Sequence, residues 1–139
     1  MAITRRDFVA ALICSGAGAA AFAAGSGEKQ ESADGGHPVY VVAAIEVKPG
    51  KRAAFIEIFK DNVPKVHAED GCHFYEPVVD FETGIGAQAP LRDNVMTVVE
   101  KWSSLDALKA HLDAPHMNSY REQVADLVAG VTLHIMRPA

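Results

Sequence analysis

Residues 95–112 read VMTVVEKWSSLDALKAHL, and the two halves of this stretch obey different rules. Val95 to Trp102 is rich in β-branched and apolar residues, as a strand is. Ser103 then offers a hydroxyl that can cap a helix over Ser104 to Leu112, with Asp106 complementing the positive helix end close to a capping box. A strand that runs directly into a capped helix sets the alternation found in the rest of the chain.

Upstream, Val39 to Val47 (VYVVAAIEV) is nearly all apolar, the composition of a central strand covered on both faces. Pro49-Gly50 ends it, and Arg52 to His67 places Phe55, Ile58, Phe59 and Val66 at helical spacing, with Pro64 expected to kink or break the last turn. Gly71 stops this helix. Cys72 to Asp80 (CHFYEPVVD) returns as a strand whose Pro77 points to an edge or a bulge. Phe81 to Asn94 is a turn-rich loop that joins it to Val95–Trp102 as a hairpin.

Downstream, Ala114-Pro115 interrupts the second helix, and Pro115 suits the first turn of another helical segment reaching about Val128, with Tyr120, Val124 and Leu127 on one side. Gly130 is expected to end that segment, and Val131 to Met136 to form the last strand. The order β-α-β-β-α-β specifies an α+β, ferredoxin-like fold, a four-stranded antiparallel sheet with its helices on one face. The first and third strands are apolar at both parities, as Val41 with Val42 and Val98 with Val99 show, so the face without helices needs cover. A homodimer packing sheet on sheet is the economical solution.

The chain has 139 residues, enough for one packed domain, and carries 13 Lys+Arg against 18 Asp+Glu. Its net charge of -5 and the absence of any basic run longer than Arg5-Arg6 or Lys51-Arg52 leave no footprint for nucleic acid. Residues 1–24 read as an address: Arg5-Arg6 precede a weakly apolar Ala/Gly-rich stretch and an A-x-A site at Ala21-Phe22-Ala23, a form that resembles a twin-arginine signal peptide. The stretch is too short and too diluted by Ser15, Gly16 and Gly18 for a stable membrane anchor, so no membrane insertion is expected after cleavage. Ile13 stands where a small residue should precede a lipidated Cys14. Loss of Arg5, Arg6 and Asp7 with the signal leaves 11 basic and 17 acidic residues, and Cys72 as the one cysteine, which rules out an internal disulfide. Residues 25–36 (GSGEKQESADGG) form a flexible tether, and the domain occupies 37–139. The expected location is periplasmic or otherwise extracytoplasmic.

Six histidines stand at 37, 67, 73, 111, 116 and 134, without the spacing of a zinc site, and no metal is expected. His111 and His116 can converge across the break at Pro115, with Asp113 nearby. Cys72 and His73 are neighbours on a strand and point to opposite faces, so Cys72 reads as a small buried hydrophobe. Trp102, the sole tryptophan, ends a strand where a cavity between sheet and helices would lie. No phosphate loop or Ser-His-Asp order is present.

Glu69-x-Gly71-Cys72-x-x-Tyr75, and Glu100-x-Trp102 followed by Ala107-Leu108-x-x-His111 and then His116, resemble the patterns of the antibiotic biosynthesis monooxygenase family, most closely its quinol monooxygenase-like members. The resemblance runs from Val39 to Arg137 and implies a dimeric α+β barrel. It also implies a cofactor-independent oxidation, by dioxygen, of a quinol or phenol held between sheet and helices. His111 is then the first candidate for the base that removes a phenolic proton and His116 the second, with Trp102 shaping the pocket and Tyr75 donating a hydrogen bond to substrate. Haem-degrading relatives carry an asparagine on the first strand, and Val39 to Val47 has none. The alternative is a non-catalytic small-molecule binding or stress-response dimer, because a fold does not fix a function. An isomerase or hydrolase acting on a small carbonyl compound is a further alternative.

Replacing Arg5 and Arg6 with Lys should hold the precursor in the cytoplasm, as read by fractionation and immunoblotting; processed protein outside the cytoplasm would overturn the export reading.

Overall fold

The computed structural model describes residues 36–139 and the two-residue segment Ile3–Thr4. The elements are β1 (Ile3–Thr4), β2 (Val39–Val47), α1 (Arg52–His67), β3 (Cys72–Val78), β4 (Val95–Trp102), α2 (Leu105–Asp113), α3 (Pro115–Val124) and β5 (Val128–Met136). They build one antiparallel sheet in the order β1-β5-β2-β4-β3, whose four long strands carry the expected ferredoxin-like arrangement. Apart from Ile3–Thr4 and Gly36, the signal and tether expected over 1–24 and 25–36 lie outside the described residues.

The apolar run of β2 puts it at the centre, between β4 and β5. Val39, Val41, Ala43, Ile45 and Val47 are buried beneath the helices. Across the ladder Val41 faces Glu100 and Val39 faces Trp102, and Tyr75 on β3 faces Glu100 from the other side. One face of the sheet therefore presents Tyr75, Glu100 and Trp102 together to the helix layer. On the opposite face Tyr40, Phe74, Val78 and Met136 stay exposed, so β2 is covered on one face only within the protomer. Leu133 and Ile135, at the parity of Ala43 and Val41, are also exposed, because the helices lie over the β3–β4 side and leave the end of β5 open.

Several local expectations shift. Pro64 does not break α1, which runs on to His67: the helix loses one amide donor there, but Val66 is fully buried and Ala68 N–H closes on the Pro64 carbonyl at 3.2 Å. Ser104, not Ser103, caps α2, accepting from Ala107 N–H at 3.1 Å, one residue later because the strand runs on to Trp102 and Ser103 N–H still pairs with the Gly71 carbonyl at 2.8 Å, so the helix opens at Leu105. The third helix ends at Val124 rather than near Val128, and Gly130 is a strand residue opposite Glu46. The cause is tertiary: Leu127 N–H turns back to Val124 O at 2.8 Å, and the Leu127 carbonyl accepts from Lys48 N–H at 2.8 Å, which pulls the chain into the sheet early. Pro77 does lie on an edge strand, while the bulge falls between Cys72 and Phe74. Cys72 is half-buried, not enclosed, because that edge leaves its flank open.

Candidate functional site

The site lies where the α1–β3 turn meets the break between α2 and α3. Gly71 makes that junction possible. Its φ of +84° is left-handed, and a Cβ there would lie 2.5 Å from Ser103 Oγ and 2.7 Å from Ala107 Cβ, so only glycine lets the turn approach the start of α2. Glu69, two residues earlier, is thereby carried to the histidines.

His111 and His116 do converge, but on Glu69 rather than Asp113. His111 Nδ1 lies 3.0 and 3.1 Å from the two Glu69 carboxylate oxygens. That contact assigns the ring proton to Nδ1 and leaves Nε2 with a lone pair. His116 Nε2 lies 2.6 Å from Glu69 Oε1, an ion-pair contact that is off the line of a hydrogen bond. Its Nδ1 meets Asn62 Oδ1 at 3.1 Å, and Asn62 is oriented by donating from Nδ2 to Met117 Sδ at 3.1 Å. His116 thus has an oxygen close to each of its nitrogens, and His111 has the nitrogen free to accept a proton.

His111 is 2% exposed, whereas His116 and Glu69 keep part of their side chains in solvent. Burial pushes the His111 imidazole below its ordinary range, against the opposing pull of Glu69, so the ring is neutral at neutral pH. Trp102 lies 4.6 Å from it between ring centroids and Tyr75 5.5 Å, edge-on. Phe59 stacks on Tyr75 at 5.6 Å and meets Tyr120 edge-on at the same separation, so the walls are aromatic. Both expected substrate-binding residues, Trp102 and Tyr75, thus flank His111, and both are enclosed.

Glu100 is buried and its Oε2 accepts from Trp102 Nε1–H at 2.8 Å. Burial, with the Glu69 charge adding to it and the indole bond opposing it, raises its carboxyl to about 7. Burial likewise raises the Tyr75 and Tyr120 phenols and the Cys72 thiol. The Tyr120 hydroxyl is enclosed without a hydrogen-bond partner, an arrangement that costs about 1–3 kcal/mol. Arg121 is structural: its Nη2 donates to the Leu112 carbonyl at 2.6 Å and its Nη1 to Asn118 Oδ1 at 2.9 Å, tying α3 to the end of α2.

The sequence reading left Asn62, Tyr120 and Arg121 out of the site and gave Glu69 and Glu100 no role. Two of these leave a trace. Asn62 continues the apolar spacing of Phe55, Phe59 and Val66, and Glu100 shares the inward parity of Met96, Val98 and Trp102. A polar residue on a buried stripe is a signal in its own right.

The sequence profile described as antibiotic biosynthesis monooxygenase matches residues 38–123, which include every side chain of the cluster. The chain belongs to that family. Membership places it among monooxygenases. Over 100 residues it is 38% identical to "Probable quinol monooxygenase YgiN" of Escherichia coli strain K12, covering 70% of this chain and 95% of that one. The structure of Rv0793 from Mycobacterium tuberculosis superposes with a TM-score of 0.58 at 28% identity, over 73% of this chain and 95% of the other. PA3566 from Pseudomonas aeruginosa shares the fold, with a TM-score of 0.62 at 20% identity over 74% and 95%.

The raised carboxyl of Glu100 has a consequence for this monooxygenase's stability. Below its ordinary value of 4.5 the group is neutral in folded and unfolded chains alike; as pH rises to about 7 the unfolded chain ionises first. Stability is lost over that window, on the order of 3 kcal/mol. In urea unfolding, Glu100→Gln should therefore gain stability over the parent from about pH 4.5 to pH 8; an unchanging gap would contradict the assignment.

Proposed function

We propose that the protein is an exported, homodimeric and cofactor-independent monooxygenase that oxidises a quinol or related electron-rich phenol with dioxygen. The observation that carries this reading is the Glu69–His111 hydrogen bond, which engages one nitrogen of a neutral imidazole ring flanked by Trp102 and Tyr75 and leaves the other to accept a proton. The name of the Escherichia coli relative supplies the substrate class.

In this mechanism Nε2 of His111 takes the phenolic proton, and Glu69 steadies the imidazolium that forms, as a carboxylate orients histidine in other general-base sites. The phenolate is a far stronger reductant than the phenol and passes electrons to dioxygen. One oxygen atom enters the ring and the other leaves as water, so a hydroquinone and O2 become a hydroxyquinone and H2O. The aromatic walls keep bulk water from the anion. His116, whose Nδ1 meets Asn62 Oδ1 and whose Nε2 lies against Glu69, positions that carboxylate instead of serving as the second base.

Exposed Tyr40, Phe74, Val78 and Met136 on the uncovered sheet face support the dimer. Sedimentation equilibrium should return twice the chain mass; a monomer at micromolar concentration would sink this part of the reading.

His111→Ala should slow oxygen uptake with a hydroquinone by roughly 10²- to 10⁴-fold at neutral pH. Because burial lowers the His111 value, the parent should lose activity only at acid pH, below the ordinary 6.5 of histidine, and the variant should lack that limb. Equal rates for parent and variant at about pH 7 would remove His111 from the mechanism.

A further inference from the structure

Glu100 is a buried acid that the proton chemistry of His111 leaves unused. It stands on a central strand beneath the helices, 6% exposed, between Val41 on β2 and Tyr75 on β3. One carboxyl oxygen is taken by the Trp102 indole N–H, and this is its one hydrogen bond among the described residues. No cation forms an ion pair with it there.

The groups that surround Glu100 make ionisation harder, not easier. From β3 and the turn before it come the Tyr75 phenol, the Cys72 thiol and the Glu69 carboxylate, and from β2 only apolar Val41. His111 on α2 turns its Nδ1–H to Glu69, and Arg121 on α3 is committed to Leu112 and Asn118. A glutamine would accept the indole bond as well as a glutamate does. Its amide would also donate on the other side, so what glutamic acid adds at this place is a donor that is withdrawn when the group ionises.

A second group nearby also lacks a partner. The Tyr120 hydroxyl is enclosed and unbonded, and the Tyr75 phenol is an electrostatic neighbour of both Tyr120 and Glu100. Two buried polar groups with unused bonding capacity on one aromatic cluster mark a place where a ligand completes the bonding.

We propose that Glu100 is a ligand-binding residue of this site, donating a hydrogen bond from its neutral carboxyl group to an oxygen of a bound quinoid ring while Trp102 holds the other carboxyl oxygen. The ligand class rests on the quinol reading above, which this assignment deepens. A neutral acid is a donor, so it selects a carbonyl or phenolic oxygen and gives no advantage to a cationic amine.

The test is equilibrium binding of duroquinone, tetramethyl-1,4-benzoquinone, read by quenching of the sole tryptophan, Trp102. Duroquinone has no ionisable group, so any pH dependence belongs to the protein. It has no ring C–H to hydroxylate and no open carbon for the Cys72 thiol, so binding is read without turnover. The parent should bind roughly tenfold more weakly at pH 8 than at pH 6, as expected of one group titrating at about 7. Glu100→Gln, checked for fold by circular dichroism, should bind without that dependence, and His111→Ala should retain it. The proposal is overturned by pH-independent binding in the parent, by an unchanged dependence in Glu100→Gln, or by no binding at either pH. Retained pH-dependent binding with no oxygen uptake on any quinol would sink the monooxygenase reading and leave Glu100 in place. Quinol turnover with pH-independent binding would do the reverse.

Discussion

Glu69 is one carboxylate shared by two histidines that arrive on different helices, His111 Nδ1 at 3.0 Å and His116 Nε2 at 2.6 Å. A buried imidazole with no partner for its N–H loses its water without compensation, so His111 can sit behind Trp102 only if an acceptor reaches it. That acceptor comes from the turn between α1 and β3, and the turn can come close only because Gly71 has no side chain to strike Ser103 and Ala107. The Gly71 carbonyl then accepts from Ser103 N–H, tying the turn to the residue before the Ser104 cap of α2, the helix that carries His111. One glycine and one carboxylate thus fix the position of His111 relative to the sheet.

The interior is unusually rich in groups that titrate, and the sheet and helices push them apart. Glu100 and His111 flank the same indole, yet burial favours the neutral form of each, a carboxylic acid on one side and a free base on the other. Environments of this kind are expensive to maintain, and they are found where proton transfer or recognition depends on them. Asn62 and Arg121 hold the surrounding helices in place through Met117, Asn118 and the Leu112 carbonyl, so the cluster is supported from the side as well as from below.

The two faces of the sheet divide the work. Alternation along β2 and β4 sends Val41, Glu100 and Trp102 to the helices and Tyr40, Val42 and Val99 to the other side. The long connection between β3 and β4 is organised by its own bonds, with Arg92 clamped to Asp80 at 2.6 and 2.8 Å and the Gln88 amide donating to the Phe81 carbonyl at 2.7 Å. Phe81 and Ile85 are nevertheless well exposed, so the loop spends its ordering on holding a shape, not on covering apolar surface.

The element order was legible in the chain because each element carries a local period: β-branched runs for β2 and β4, a helical stripe in α1, and a serine ahead of α2. His111, Trp102 and Tyr75 were legible as a site through the motif they form, and Glu100 was present in the same motif without a role. What the tertiary structure alone decided was who meets whom. Glu69 and His111 are 42 residues apart, Asn62 and His116 are 54 apart, and Gly130 joins a strand because Lys48 captures the Leu127 carbonyl. No local period encodes such pairings. They depend on how closely the helices settle on the sheet, and that is set by the packing of Phe55, Phe59, Val66 and Tyr120, side chains whose meeting no short stretch of sequence contains.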